Sequence, residues 1–134
     1  MFAPDPAFLA GSVPLCEWPL CHVRLQDDAR FPWLILIPRG EGWVEIEDLS
    51  QADRARLTEE VVRAGSLVRQ LGEALGFVVE KLNVGALGNI TSQLHVHVVG
   101  RHPGDAAWPG PVWGVGGAVP LAPALADRLR RNLA

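Results

Sequence analysis

The segment Gln93-Leu94-His95-Val96-His97-Val98-Val99 constrains the fold of this chain more than any other. A strand advances roughly 3.3 Å per residue and sends successive side chains to opposite faces. Positions 93, 95, 97 and 99 therefore share one side, and Leu94, Val96 and Val98 share the other. The aliphatic side needs a core to pack into. The other side sets two imidazoles about 7 Å apart at their bases, next to a carboxamide. Half of the chain's 4 histidines sit in this one segment.

Length and composition bound the remaining choices. A chain of 134 residues reads as one domain with a core of its own. Charged residues make up 20% and apolar residues 49%, which indicates neither disorder nor a membrane protein. A net charge of −3 supplies no basic stripe for a nucleic-acid backbone, so a phosphate-bearing partner is expected to be small. The start, Met1 to Asp5, lacks a basic stretch followed by an apolar run, and the apolar run from Trp33 to Ile37 is too short to span a bilayer. The expectation is a cytoplasmic protein with no membrane partner, in which Cys16 and Cys21 are free, largely buried thiols.

Residues 1–19 carry four prolines and little periodicity and read as an irregular lead-in. A short strand follows from Leu20 to Gln26, then a turn at Asp27 to Arg30, then a strand from Trp33 to Ile37 whose unbroken apolar run suits burial on both faces. Ser50 and Asp53 outline a helix start, with Leu49 placed as a hydrophobic staple. Leu57, Val61, Ala64, Val68, Leu71 and Leu75 form one apolar stripe, with Arg54, Arg56, Glu59, Glu60, Arg63 and Arg69 largely off it, and Gly76 ends the helix. Phe77 to Asn83 reads as a strand that turns through residues 85–89 and pairs antiparallel with the histidine strand. Residues 102–120 are too rich in Pro, Gly and Trp for regular structure, and a short helix closes the chain within 121–134. The order β, β, α, β, β makes the fold α+β, a mostly antiparallel sheet with helix cover.

Three readings of His95 and His97 compete. Each ring could be satisfied in or near the core with no further role. The pair could bind zinc, with His22 or His102 as a third ligand and Asp105 as the nearby carboxylate. Or one imidazole could attack phosphorus, its far nitrogen free and its near nitrogen held by an acceptor that fixes the tautomer, while the second binds phosphoryl or bridging oxygens. Asn83, Asn89, Thr91, Ser92 and Gln93 give that third reading an uncharged, donor-rich approach to the strand.

Gln93 to Val99 resembles the signature of the histidine triad (HIT) superfamily, His-φ-His-φ-His-φ-φ with φ apolar, with Gln93 in the first histidine position. The strand ending Ile37-Pro38-Arg39, the helix opened by Leu49-Ser50, and the elements Asn83-Val84-Gly85 and Gly88-Asn89 are similar to family elements in the same order, so the likeness runs from about Leu20 to Arg101. The resemblance implies a five-stranded antiparallel sheet with one long helix, assembled as a homodimer. It implies a nucleotide hydrolase or transferase acting on the α-phosphate of a dinucleoside polyphosphate or nucleoside phosphoramidate, with no cofactor and no metal in the site. His95 would be the nucleophile and carry the nucleotidyl group. His97 would help bind the phosphate and leaving group, Asn83 and Asn89 would contact phosphate, and Gln26 would lie near the sugar. Residues around Ile35 and the strand from Leu20 would line the nucleoside pocket.

Gln93 departs from the pattern. A carboxamide replaces a histidine that only donates or accepts a hydrogen bond, but it carries no proton at neutral pH. A catalytically weakened nucleotide-binding module is the alternative this leaves open. Beyond the resemblance, Trp108 and Trp113 flank Pro109-Gly110-Pro111 and are read first as a packed cover, second as a surface that stacks on a base or shapes the distal half of a substrate.

Overall fold

In the computed structural model, which describes residues 1–132, five strands form one antiparallel sheet in the order β1-β2-β3-β5-β4. The strands are β1 (Ser12–Glu17), β2 (Cys21–Gln26), β3 (Trp33–Pro38), β4 (Lys81–Gly85) and β5 (Val96–Arg101). Helices α1 (Pro6–Gly11), α2 (Gln51–Leu75) and α3 (Pro123–Asn132) complete the regular structure, with a 3₁₀ turn at Ile46–Asp48. The α+β expectation and the five-stranded sheet are both observed.

Alternation sorts the core into two layers. Cys21, Val23, Leu25, Leu34, Leu36, Val96 and Val98 point to one face, where Leu57, Ala64, Leu67, Val68 and Leu71 of α2 cover them. Trp33, Ile35, Ile37 and Val99 point to the other face and pack with Phe8, Phe31 and Val112. β3 is buried at every position, as its continuous apolar run requires. Helix α2 begins where Ser50 Oγ accepts the Asp53 N–H at 3.1 Å, and it ends at Gly76 with φ 99°, a left-handed conformation that glycine adopts without a Cβ clash.

The structure departs from the sequence reading in several places. Residues 1–19 are not an irregular lead-in, because they hold α1 and β1. Asp5 caps α1, accepting the Ala7 N–H at 2.9 Å, with Pro6 in the first turn. β1 tolerates Pro14 because it is an edge strand, with a register irregularity between Pro14 and Cys16. The strand expected over Phe77–Asn83 begins at Lys81, and the histidine strand begins at Val96, just after Gln93 and His95. The antiparallel pairing of these two is as expected, with Asn83 opposite Val99 and Gly85 opposite His97. The closing helix runs Pro123–Asn132, and the end of the 121–134 range lies outside the described residues. Cys16 and Cys21 are free thiols, half-buried and buried. Burial pushes the Cys16 thiol up to about 11, and burial and the Glu60 carboxylate push Cys21 up as well.

Glu60 is not off the packed stripe. It is 6% exposed, and its two carboxylate oxygens accept the backbone N–H groups of Leu20 and Cys21 at 2.8 and 2.9 Å. It thereby ties the start of β2 to the middle of α2. Glu60→Ala leaves two buried donors without a partner, and chemical denaturation is expected to show a loss of about 2–4 kcal/mol. Glu60→Gln keeps one acceptor oxygen and should lose roughly half as much.

Candidate active site

The face of the sheet opposite α2 carries the histidines. His95 is 6% and His97 9% exposed, with ring centroids 4.9 Å apart and planes at 81°. His97 sits opposite Ile35 of β3, so Trp33 lies diagonal to it. The Trp33 indole N–H donates to His97 Nδ1 at 3.0 Å. That donor leaves Nδ1 as the acceptor and the ring proton on Nε2. His95 has the reverse arrangement. Its Nδ1 lies 2.7 Å from the backbone carbonyl oxygen of Gln93, an acceptor only, so in the neutral ring Nδ1 carries the proton and Nε2 the free lone pair. Two adjacent imidazoles thus hold opposite tautomers.

Burial, and then the neighbouring His95, lower the His97 pKa from its ordinary value of 6.5 to about 4. His97 is neutral at pH 7. Protonation would also put a proton on the nitrogen that accepts from Trp33.

A cleft of ≈ 560 Å³ opens against this pair. Ile35, Gln26, Asn89, Thr91, Phe8 and Trp113 are among the residues around it, together with residues 114–118. A smaller recess of ≈ 210 Å³, lined by residues 44–47, Ala86 and Gln93, meets the cleft at Leu87, Gly88 and His95. At the far rim, Asp28 binds Arg30 through Nη2–Oδ2 at 2.8 Å and Nε–Oδ1 at 3.0 Å, and Arg30 Nη1 donates to the Gly116 carbonyl at 2.9 Å. Burial raises the Asp28 pKa, but hydrogen bonds from Arg30 and from the Arg30 and Val119 N–H groups outweigh it and hold the carboxyl low. The β2–β3 turn is thus tied to the segment that walls the cleft.

The structure brings His95, His97, Asn89, Gln26 and Ile35 to one cleft. β2 contributes Gln26, whereas its apolar residues Cys21, Val23 and Leu25 face α2. Asn83 is not brought there. Its side-chain oxygen accepts from Arg101 Nη1 at 2.8 Å, beside the buried Arg101–Asp105 ion pair, in which Nε lies 2.7 Å from Oδ2. Burial raises the Asp105 pKa, but the Arg101 guanidinium and the N–H groups of Ala107, His102 and Trp108 outweigh it and bring it down to about 2. Gln93 is in the smaller recess, and its carboxamide faces the N-terminal segment. The possible third metal ligands are elsewhere: His22 pairs with Glu17 and Arg24, and His102 stacks on Phe77 with centroids 4.4 Å apart. Among the described residues, no group of three or more His, Cys, Asp or Glu side chains is placed to hold a metal ion.

Several contacts were missed by sequence reasoning. Phe8 meets His95 edge-on at 4.7 Å, and Trp113 lies 5.6 Å from His97. Trp113 fits there because Gly85, opposite His97, has no side chain; a Cβ at Gly85 would lie 3.0 Å from the indole. Trp108 instead faces the Arg101 guanidinium at 5.7 Å. Asp5-Pro6 was a readable helix start. Nothing in the sequence indicated where α1 would pack.

Comparison with known proteins settles the family: the HIT domain matches residues 11–104. The chain belongs to the HIT domain family. Three solved HIT structures are similar over nearly their whole length. A histidine triad protein from Bradyrhizobium japonicum is 35% identical, covering 97% of this chain and 96% of its own, with TM-score 0.87. One from Sinorhizobium meliloti 1021 is 41% identical, covering 98% and 96%, with TM-score 0.84. One from Marinobacter aquaeolei VT8 is 38% identical, covering 100% and 99%, with TM-score 0.82. No curated protein matches the chain. Among the described residues of this HIT protein, no helix is long and apolar enough to cross a membrane.

The depressed His97 pKa makes stability depend on pH. The unfolded ring binds a proton near 6.5 and the folded ring only near 4, so the unfolded state holds more protons between these values. The His97 contribution is complete above about pH 6.5 and is lost as pH falls towards 4. Its size is about 3 kcal/mol. Urea unfolding at pH 7 and pH 4.5 is expected to show a smaller acid loss in His97→Asn than in the wild type, by about 2 kcal/mol.

Proposed function

We propose that this HIT protein is a nucleotide hydrolase or transferase in which His95 Nε2 attacks the α-phosphorus of a nucleotide conjugate. The observation that carries the reading is the 2.7 Å contact of His95 Nδ1 with the Gln93 carbonyl, which leaves Nε2 with its lone pair at the cleft. The N–P bond forms as the bond from phosphorus to the leaving group breaks. Water then attacks phosphorus, the N–P bond breaks, and a nucleoside monophosphate leaves with His95 restored. His97, neutral with its proton on Nε2, donates a hydrogen bond to a phosphoryl oxygen rather than transferring a proton. Asn89 and Thr91 offer further donors, and Gln26 lies along the cleft for the sugar. Asn83, held by Arg101, is assigned no phosphate contact in this reading.

Neither Gln93 nor His97 holds a transferable proton at neutral pH. A leaving group that departs as a stable anion is therefore favoured, which selects the phosphoanhydride of a dinucleoside polyphosphate over the amine of a phosphoramidate. The expected result is cleavage of diadenosine polyphosphate in the presence of a chelator, faster than cleavage of an adenosine phosphoramidate. His95→Ala should lose at least roughly a hundredfold in kcat while still unfolding in one cooperative transition. Activity abolished by chelator and restored by zinc would reject the nucleophile. Binding of a nucleoside monophosphate without turnover would establish the weakened module instead.

A homodimer belongs to the same proposal. β4 ends the sheet, and Val78, Val84 and Ile90 are exposed on or near it. Light scattering is expected to give twice the chain mass, and Val84→Lys to lower it to one.

A further inference from the structure

The first triad position is occupied in an unexpected way. The Gln93 side-chain oxygen accepts the Asp5 backbone N–H at 2.7 Å, and its nitrogen donates to the Ala3 carbonyl at 3.0 Å. A carboxamide presents its acceptor and its donor side by side in one plane, which matches a carbonyl and an N–H two residues on along the chain. The two nitrogens of an imidazole diverge and cannot meet both. Past this clamp, Asp5 caps α1 through the Ala7 N–H, and Phe8 of α1 lies edge-on to His95 at 4.7 Å with 6% exposure. The far end is held too: Ser12 Oγ donates to the Phe8 carbonyl at 2.5 Å and accepts from Arg24 Nε at 2.7 Å. Ala7, Phe8 and Gly11 then face the cleft.

We propose that Gln93 is a positioning residue whose carboxamide latches Ala3–Asp5, seats Phe8 against the His95 ring, and makes α1 the wall that limits what binds beside that histidine. Both groups of the carboxamide are engaged by the main chain, so Gln93 takes no part in proton transfer. The limit on ligand size rests on the hydrolase reading above. The latch and the cover over His95 stand without it.

Three measurements test this on the full chain. Hydrogen exchange in Gln93→Ala should rise roughly tenfold across residues 3–11, as the loss of two hydrogen bonds requires, and stay unchanged in α2 and β3. Gln93→Glu keeps the acceptor but not the donor and should fall between. Carbethoxylation of His95 by diethyl pyrocarbonate should speed up by a similar factor in Gln93→Ala and in Phe8→Ala, with Phe8→Leu as the milder variant should alanine fail to fold. The ratio of kcat/KM for diadenosine tetraphosphate to that for a small adenylyl phosphoramidate should rise several-fold in both Phe8 variants, through KM rather than kcat. Unchanged exchange at residues 3–11 in Gln93→Ala overturns the latch. Faster exchange with wild-type His95 reactivity and wild-type substrate ratio overturns the wall. A wild type with no His95-dependent turnover counts against the hydrolase reading alone, and exchange and carbethoxylation then decide the latch.

Discussion

Burial of both faces of the central strands is the constraint on which the rest depends. β3 and β5 are adjacent in the middle of the sheet and buried at every position, so each residue is committed to one of two layers. Leu34, Leu36, Val96 and Val98 are held by α2, and this fixes Trp33, Ile35 and His97 on the other side. A slip of one residue would exchange the layers and bury the imidazoles under the helix. The apolar alternation therefore positions the polar site: Trp33 reaches His97 only because the register places it two residues along the neighbouring strand, on the same face.

Electrostatics follow from the same layering. Burial and the neighbouring His95 act in one direction on His97, against a charge on its ring. Hydrogen-bond partners select opposite tautomers, a carbonyl for His95 and an indole N–H for His97. One ring is left with a lone pair towards the cleft and the other with a proton. The same main chain supplies the partner for His95 and carries Gln93, so position 93 contributes twice: its backbone orients the histidine two residues on, and its side chain anchors the segment that packs over it.

Much of the fold was legible from local patterns. The α2 boundaries followed from Ser50 and Gly76, the doubly buried β3 from its unbroken apolar run, and the shared face of His95 and His97 from period-two alternation. What was not legible depended on tertiary contacts. β1 was hidden by Pro14, which an edge strand accepts because its outer side has no partner. Glu60 looked like a solvated charge until the backbone N–H groups of Leu20 and Cys21, at the start of β2, were brought to it. Asn83 sits on the site face but two positions from the row of His97, close enough to Arg101 to be taken by it. The proline-rich start could not reveal Phe8 as a neighbour of His95, since its placement depends on Gln93 and Ser12, one of them far away in the chain.

The tautomers of the two histidines test this account most directly. Long-range proton–nitrogen NMR on uniformly labelled protein at pH 7 reads which ring nitrogen is protonated in each. The expected result is His95 protonated at Nδ1 and His97 neutral and protonated at Nε2. His95 protonated at Nε2, or a charged His97 at that pH, would contradict it.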